Sequence, residues 1–323
     1  MTEPATLPRS GLPRSGSGPL ASAHLGPVRP GGRVALLSTA GVASDQGRER
    51  ALELVTTLGF EPVLMPTATA RHPRADYLAG SDQQRADDFV QAWTDPSIDA
   101  IICLRGGYGT VRILDLLDVD SLSAADPKPL FGSSDVTALH EWLADNLGVA
   151  SWFAPMPATR DLLDDPVAIE FYRAALTETW AGRVFDAGSD RRTLVAGEAT
   201  GRLIGGNLSL LAMTVGAHGR VVDNAGRVVL LEDVGEDIYK YDGYLQTLLR
   251  SGWFDGVAGI ALGSWKGSDP AEARELCAEL LTPLGVPLVS DLDFGHGPGA
   301  MTIPLGVVGR LVADDQPRIE LVG

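Results

Sequence analysis

Between residues 31 and 150, short apolar runs alternate with amphipathic stretches, and this alternation restricts the fold more than any other feature of the chain. Residues 33–38 (RVALLS), 62–65, 100–104 (AIICL) and 129–131 are too short for helices and nearly uniform in apolar character. Strands read this way when both faces of a parallel sheet are covered. Residues 48–58, 82–93, 111–117 and 136–146 read as the intervening helices. In the last of these, Val136, Leu139 and Leu143 keep near-helical spacing, with Leu147 just beyond, so one face belongs to a core. Strands separated by helices imply βαβ units and a parallel sheet. No GxGxxG follows the first strand, which argues against a dinucleotide site.

The 323 residues suggest two domains, at roughly 100–200 residues each. The expected fold is α/β, with a Rossmann-like N-terminal parallel-sheet domain over residues 31–150. Residues 151–195, with two prolines in APMP and an amphipathic segment near 169–176, read as a connection that covers a cleft. From residue 196 to 323 the pattern turns strand-rich: seven strand-like pieces (201–204, 228–231, 258–262, 287–290, 301–303, 307–311 and 318–322) surround three helical stretches. That composition suggests a barrel-like α/β C-terminal domain. Residues 1–30, with Pro, Ser, Gly and Arg scattered through them, read as a disordered tail. They hold no continuous apolar stretch of the kind a secretory signal or a membrane span needs.

Charge and cysteine usage exclude several functions. With 26 Lys+Arg against 42 Asp+Glu the net charge is −16, a surface that repels phosphate backbones and makes a nucleic-acid partner a poor fit. Cys103 and Cys277 stand far apart in apolar segments, without a CxxC or Cys/His neighbour, so zinc and redox roles lack support. Buried free thiols agree with a reducing cytoplasm. No two histidines stand at metal-ligand spacing, and no cofactor is expected.

Two strand ends in the first half carry unusual punctuation, and ligands of open α/β sheets gather at such carboxyl ends. The first is 105–110 (RGGYGT), whose exposed amides can hold an anion or an oxyanion. The second is 131–137 (FGSSDVT), a strand that turns directly into a helix, where Ser133 or Ser134 is presented at a helix N-terminus. A nucleophilic serine needs a base. Of five histidines, His24 lies in the tail, His72 in a polar loop, and His140 on a helix beyond the serines; His218 and His296 sit in glycine-flanked turns, and spacing does not choose between them. The base needs a carboxylate to orient it, and Glu232 and Asp233 stand directly after four apolar residues. An acid at a buried strand end is costly unless paired.

Together these segments resemble the LD-carboxypeptidase family over most of residues 31–323. The carriers are RGGYG at 105–109, GSSDVTALH at 132–140, GGNL at 205–208, LLED at 230–233, LGSW at 262–265 and DFGH at 293–296. The resemblance implies that Ser134 is the nucleophile, rather than Ser133 or Thr110, with His296 as base and Glu232 as the acid that orients it. It implies an oxyanion hole from the backbone of Gly107 and Asp135, and substrate contacts from Arg105, Tyr108 and Asn207. It further implies a cleft between the two domains, no metal, a small peptide as substrate, and a cytoplasmic homodimer. The housekeeping branch of the family releases D-Ala from muropeptide tetrapeptides. The microcin-immunity branch hydrolyses peptidyl- or aminoacyl-nucleotide antibiotics and carries a G-G-x-N-S type loop where this chain has Gly-Gly-Tyr-Gly-Thr at 106–110. A non-catalytic sensor of wall fragments would keep the fold and the cleft without turnover, but all three triad positions are occupied here.

Overall fold

A computed structural model describes residues 19–217 and 223–323. The first sheet is built from β1 (Arg33–Leu37), β2 (Glu61–Leu64), β3 (Ala100–Cys103), β4 (Leu130–Gly132) and β5 (Ser151–Phe153), all parallel. Helices α1 (Asp45–Thr57), α2 (Asp82–Thr94), α3 (Val119–Ser123) and α4 (Thr137–Asn146) make the crossovers. The expected helix at 111–117 is instead two short 3₁₀ turns, Thr110–Arg112 and Leu114–Leu116. Leu114 and Leu117, three apart, take the buried side of that tighter winding.

Two short helices follow, α5 (Arg160–Leu163) and α6 (Pro166–Thr177). The second sheet comprises β6 (Val184–Phe185), β7 (Arg192–Val195), β8 (Gly197–Asn207), β9 (Val228–Val234), β10 (Gly259–Lys266), β11 (Leu288–Ser290), β13 (Val308–Ala313) and β14 (Arg318–Leu321). Helices α7 (Leu208–Thr214), α8 (Ile238–Arg250) and α9 (Pro270–Leu281) lie between its central strands. The order is β6-β14-β13-β8-β9-β10-β11-β7, with β8, β9, β10 and β11 parallel. The sheet curls into a half-barrel, so that Thr193 Oγ1 on β7 donates to the Asp314 carbonyl beyond β13 at 2.6 Å.

Three boundaries differ from the sequence reading. β12 (Ile303–Leu305) leaves the second half of the chain to pair antiparallel with β5 at the edge of the first sheet. The hydrogen-bonding edge of β5 is thereby paired, and one core cluster runs through both sheets. Residues 151–195 are more than a connection, since they open with β5 and end with β7, the edge strand of the second sheet. The expectation of a disordered tail over 1–30 fails for its described part. Ala21 bridges Val149, Leu20 donates to the Gly306 carbonyl at 3.0 Å, and Leu25 is fully buried. Three spaced apolar anchors, Leu20, Leu25 and Val28, suffice to dock a segment whose average composition reads as polar. Residues 1–18 lie outside the described residues.

Candidate active site

The parallel strands of both sheets deliver their carboxyl ends to one cleft of about 350 Å³, lined on one side by Arg105, Gly107 and Ser134 and on the other by Asn207, Asp233 and His296. This is the place the topology of open parallel sheets reserves for ligands.

Ser134 stands where β4 has just ended and a 3₁₀ turn, Ser134–Val136, runs into α4. Its φ is 57°, and Ser134 and Asp291 are the only non-glycine residues with positive φ among the described residues. A left-handed serine on a strand-to-helix turn stores strain and projects its side chain out of the turn. Ser134 is half-buried and faces the cleft, whereas Thr110 is fully buried and bonded to Thr39. Ser133 also touches the cleft but is almost entirely buried.

His296 comes from the loop after β11. Its Nδ1 lies 2.6 Å from Glu232 Oε2, and the Glu232 side chain is fully buried. The carboxylate fixes the proton on Nδ1 and leaves Nε2 as the acceptor. Burial opposes protonation of the ring, but the Glu232 charge and hydrogen bond, helped by Asp161 and Asp233, hold its pKa above the usual histidine value. Gly295 takes φ 96°, and a Cβ there would stand 2.4 Å from Glu232 Oε2, so only glycine lets the loop approach the acid this closely. Ser264 secures the same loop. Its Oγ accepts the N–H groups of His296 at 2.9 Å and Gly297 at 2.8 Å, beside a register shift in β10 between Leu262 and Trp265. Farther along, Asp165 accepts the Gly299 N–H at 2.6 Å. No hydrogen bond joins Ser134 to His296 directly, and such contacts commonly tighten only around substrate.

Glu232 and Asn207 are partners in the β8–β9 register. Asn207 Nδ2 donates to Glu232 Oε1 at 3.3 Å and to Asp233 Oδ1 at 3.0 Å, while its Oδ1 accepts the Leu210 N–H and caps α7. Asn207 therefore lines the cleft with its amide already committed to the two acids. Asp233 also accepts the N–H groups of Ser209 and Val234. Burial, followed by the neighbouring Glu232 charge, pushes its pKa up to about 6 against those hydrogen bonds.

The other expected residues separate. Arg105 and Gly107 line the cleft, and Arg105 Nη1 donates to the Val42 carbonyl at 2.8 Å. Tyr108 does not line it; its ring stands 6.1 Å from that of Tyr77. The Asp135 side chain is fully buried behind the nucleophile and accepts the Thr110 N–H at 2.7 Å. His140 is a core residue held by Ser151 Oγ and the Gly132 carbonyl, and burial pushes its pKa down to about 4. His24 bonds the Ala150 carbonyl, His72 accepts two backbone N–H groups of its own loop, and His218 lies outside the described residues. Both cysteines are buried and free. Among the described residues no helix is long and apolar enough to cross a membrane, and no three His, Cys, Asp or Glu side chains gather as a metal site would require.

Sequence reasoning passed over Ser264, Asp161 and Asp165. Asp161 and Glu236 line the cleft and are paired with Lys266 and Lys240. LGSW at 262–265 was legible as a motif, but the double acceptor role of its serine depends on a loop 32 residues away.

Comparison with known proteins shows the family. Residues 34–154 match the LD-carboxypeptidase N-terminal domain and residues 200–311 the LD-carboxypeptidase C-terminal domain. A putative carboxypeptidase of Streptomyces coelicolor is 44% identical over 89% of this chain and 92% of its own length. The murein tetrapeptide carboxypeptidase of Pseudomonas aeruginosa is 32% identical over 85% and 91%. Among solved structures, an MccF-like protein from Bacillus anthracis superimposes with a TM-score of 0.81 over 92% of this chain and 98% of that one, at 22% identity. The chain belongs to the LD-carboxypeptidase family of serine peptidases.

Proposed function

We propose that the protein is a serine carboxypeptidase that hydrolyses the LD peptide bond before a terminal D-Ala, acting on cytoplasmic muropeptide tetrapeptides through Ser134, His296 and Glu232. The observation that carries this reading is the buried Glu232–His296 pair at 2.6 Å, which shares one cleft with a left-handed Ser134. His296 Nε2 takes the Ser134 Oγ proton as Oγ attacks the carbonyl carbon. The oxyanion accepts from the amides of Gly107 and Asp135, donors worth about 2.7–4 kcal/mol each in a comparable protease. Imidazolium forms against the Glu232 charge, then protonates the leaving amine and breaks the C–N bond. Water repeats the sequence on the acyl-enzyme, with His296 again as base.

Arg105, exposed at the cleft, supplies the positive charge suited to the terminal carboxylate of such a substrate. The cytoplasmic setting is supported by the two buried free thiols, and a homodimer is part of the same reading. Hydrolysis of aminoacyl-nucleotide antibiotics uses the same triad chemistry and is the runner-up. One assay separates the two. Tetrapeptides ending in diaminopimelate–D-Ala, the all-L analogue and an aminoacyl-nucleotide are supplied in parallel, and the released amino acid is measured. D-Ala release with the all-L peptide spared is expected. Equal cleavage of the all-L peptide would overturn the LD assignment, and preference for the aminoacyl-nucleotide would move the activity to the immunity branch.

A further inference from the structure

The proposed mechanism needs the Gly107 N–H aimed where the oxyanion forms, yet Gly106 and Gly107 have no side chains of their own to aim it. The loop that follows β1 supplies the missing constraint. The Gly41 N–H donates to the Gly106 carbonyl at 3.0 Å. The 106–107 peptide is planar and trans, so the Gly106 C=O and the Gly107 N–H point in opposite directions. With the carbonyl turned to Gly41, the N–H is turned away from it. Ser134 stands close to this peptide, since a Cβ on Gly106 would lie 2.8 Å from Ser134 Cβ and 2.9 Å from its Oγ. Gly107 lines the cleft, and no acceptor among the described residues takes its N–H.

The same loop holds the glycine segment at other points. The Val42 carbonyl accepts from Arg105, and Thr39 Oγ1 lies 3.1 Å from Thr110 Oγ1. The fully buried Arg85 bridges the Thr39 and Gly109 carbonyls at 2.5 and 2.7 Å. Asp135 closes the far end by accepting the Thr110 N–H at 2.7 Å, immediately behind the nucleophile. Loop and nucleophile are thus tied into one unit.

We propose that Gly41 is a positioning residue for acyl transfer, because its N–H orients the 106–107 peptide and so makes Gly107 an oxyanion donor. This rests on the serine acyl-transfer reading above. Gly41 lies outside the left-handed region, so alanine suits its backbone. The obstacle is local, since a Cβ at 41 would stand 2.6 Å from the Gly106 oxygen and 3.3 Å from the Tyr77 oxygen, both backbone atoms that a side-chain rotation cannot move.

Two variants test it. Gly41→Ala pushes the carbonyl away. Glycolic acid in place of Gly41, introduced by nonsense suppression, exchanges the N–H for an ester oxygen without adding volume, and decides the matter should the alanine variant fail to fold. For each, kcat and KM are measured on the D-Ala-releasing tetrapeptide. Inhibition by a peptide boronate, which forms a tetrahedral adduct with the serine, is measured beside binding of the hydrolysis product. Expected are a kcat lower by about 10²-fold and boronate affinity weakened in parallel, as for loss of an oxyanion donor, with KM and product binding unchanged. A folded variant that keeps wild-type kcat and boronate affinity would overturn the inference alone. So would a variant that loses product binding as severely as boronate binding, because Gly41 would then shape the cleft rather than aim the donor. Full turnover by Ser134→Ala would overturn the acyl-transfer reading, and this inference with it.

Discussion

Glu232→Gln keeps the shape of a fully buried side chain while removing its charge, and the surrounding hydrogen bonds dictate what happens next. Asn207 Nδ2 donates to Glu232 Oε1, so the new amide must present its oxygen there. Its NH₂ then occupies the place of Oε2, 2.6 Å from His296 Nδ1. That nitrogen must become the acceptor, and the ring proton moves to Nε2, where the base should be. Wrong tautomer and lost charge act together, and an equivalent change in a serine protease triad costs about 10⁴ in kcat, or roughly 5 kcal/mol. The pH profile has a definite sign. The base works neutral, so the rate rises with pH through the His296 pKa, which lies above 6.5 in the native site. Without the Glu232 charge and hydrogen bond, burial dominates and the rising limb of the residual activity moves to lower pH. The Asp233 pKa, raised in part by Glu232, falls as well. Stopped assays of D-Ala release from pH 5 to 9 read the rate and the limb together, and a thermal melt reads the fold. Retention of most of the activity, or an equally damaging Asp233→Asn, would refute the assignment of Glu232.

Ser134→Ala should abolish turnover and labelling by a fluorophosphonate with little change in melting temperature, whereas Ser133→Ala should keep substantial activity; the reverse pattern would move the nucleophile by one residue. The buried His140 should make the fold acid-sensitive. Its folded pKa of about 4 lies below the ordinary histidine value of 6.5, so its contribution is intact above pH 6.5 and declines as pH falls towards 4. The loss amounts to roughly 3 kcal/mol of unfolding free energy. Urea titrations at pH 7.5 and 4.5 should show that loss, and His140→Gln should flatten it; an unchanged pH dependence in the variant would assign the acid sensitivity elsewhere.

The first sheet was legible because its signals are local. Runs such as 100–104 are apolar throughout, helices such as α4 carry their spacing within ten residues, and Gly-rich punctuation marks strand ends. The second half was legible only as strand-rich. Nothing local says that β12 crosses to β5, that residues 192–195 close the edge of the other sheet, or that Leu20, Leu25 and Val28 dock the segment read as a tail. In each case the partner is far away in sequence, and a strand's face is settled by what it packs against rather than by its own propensity.

The site divides along the same line. The order of residues along the chain determined which side chains exist at strand ends: a serine after Gly132, an acid after four apolar residues, a histidine between glycines. Tertiary structure decided their chemistry. It set His296 on Glu232 and left His140 in the core, turned the Asn207 amide onto two acids, kept Tyr108 off the cleft, and placed Gly41 behind the Gly106 carbonyl. The physical reason is range. Propensity and periodicity act over one turn or one strand, whereas burial, hydrogen-bond partners and the pKa values that follow from them depend on groups that only the folded chain brings together.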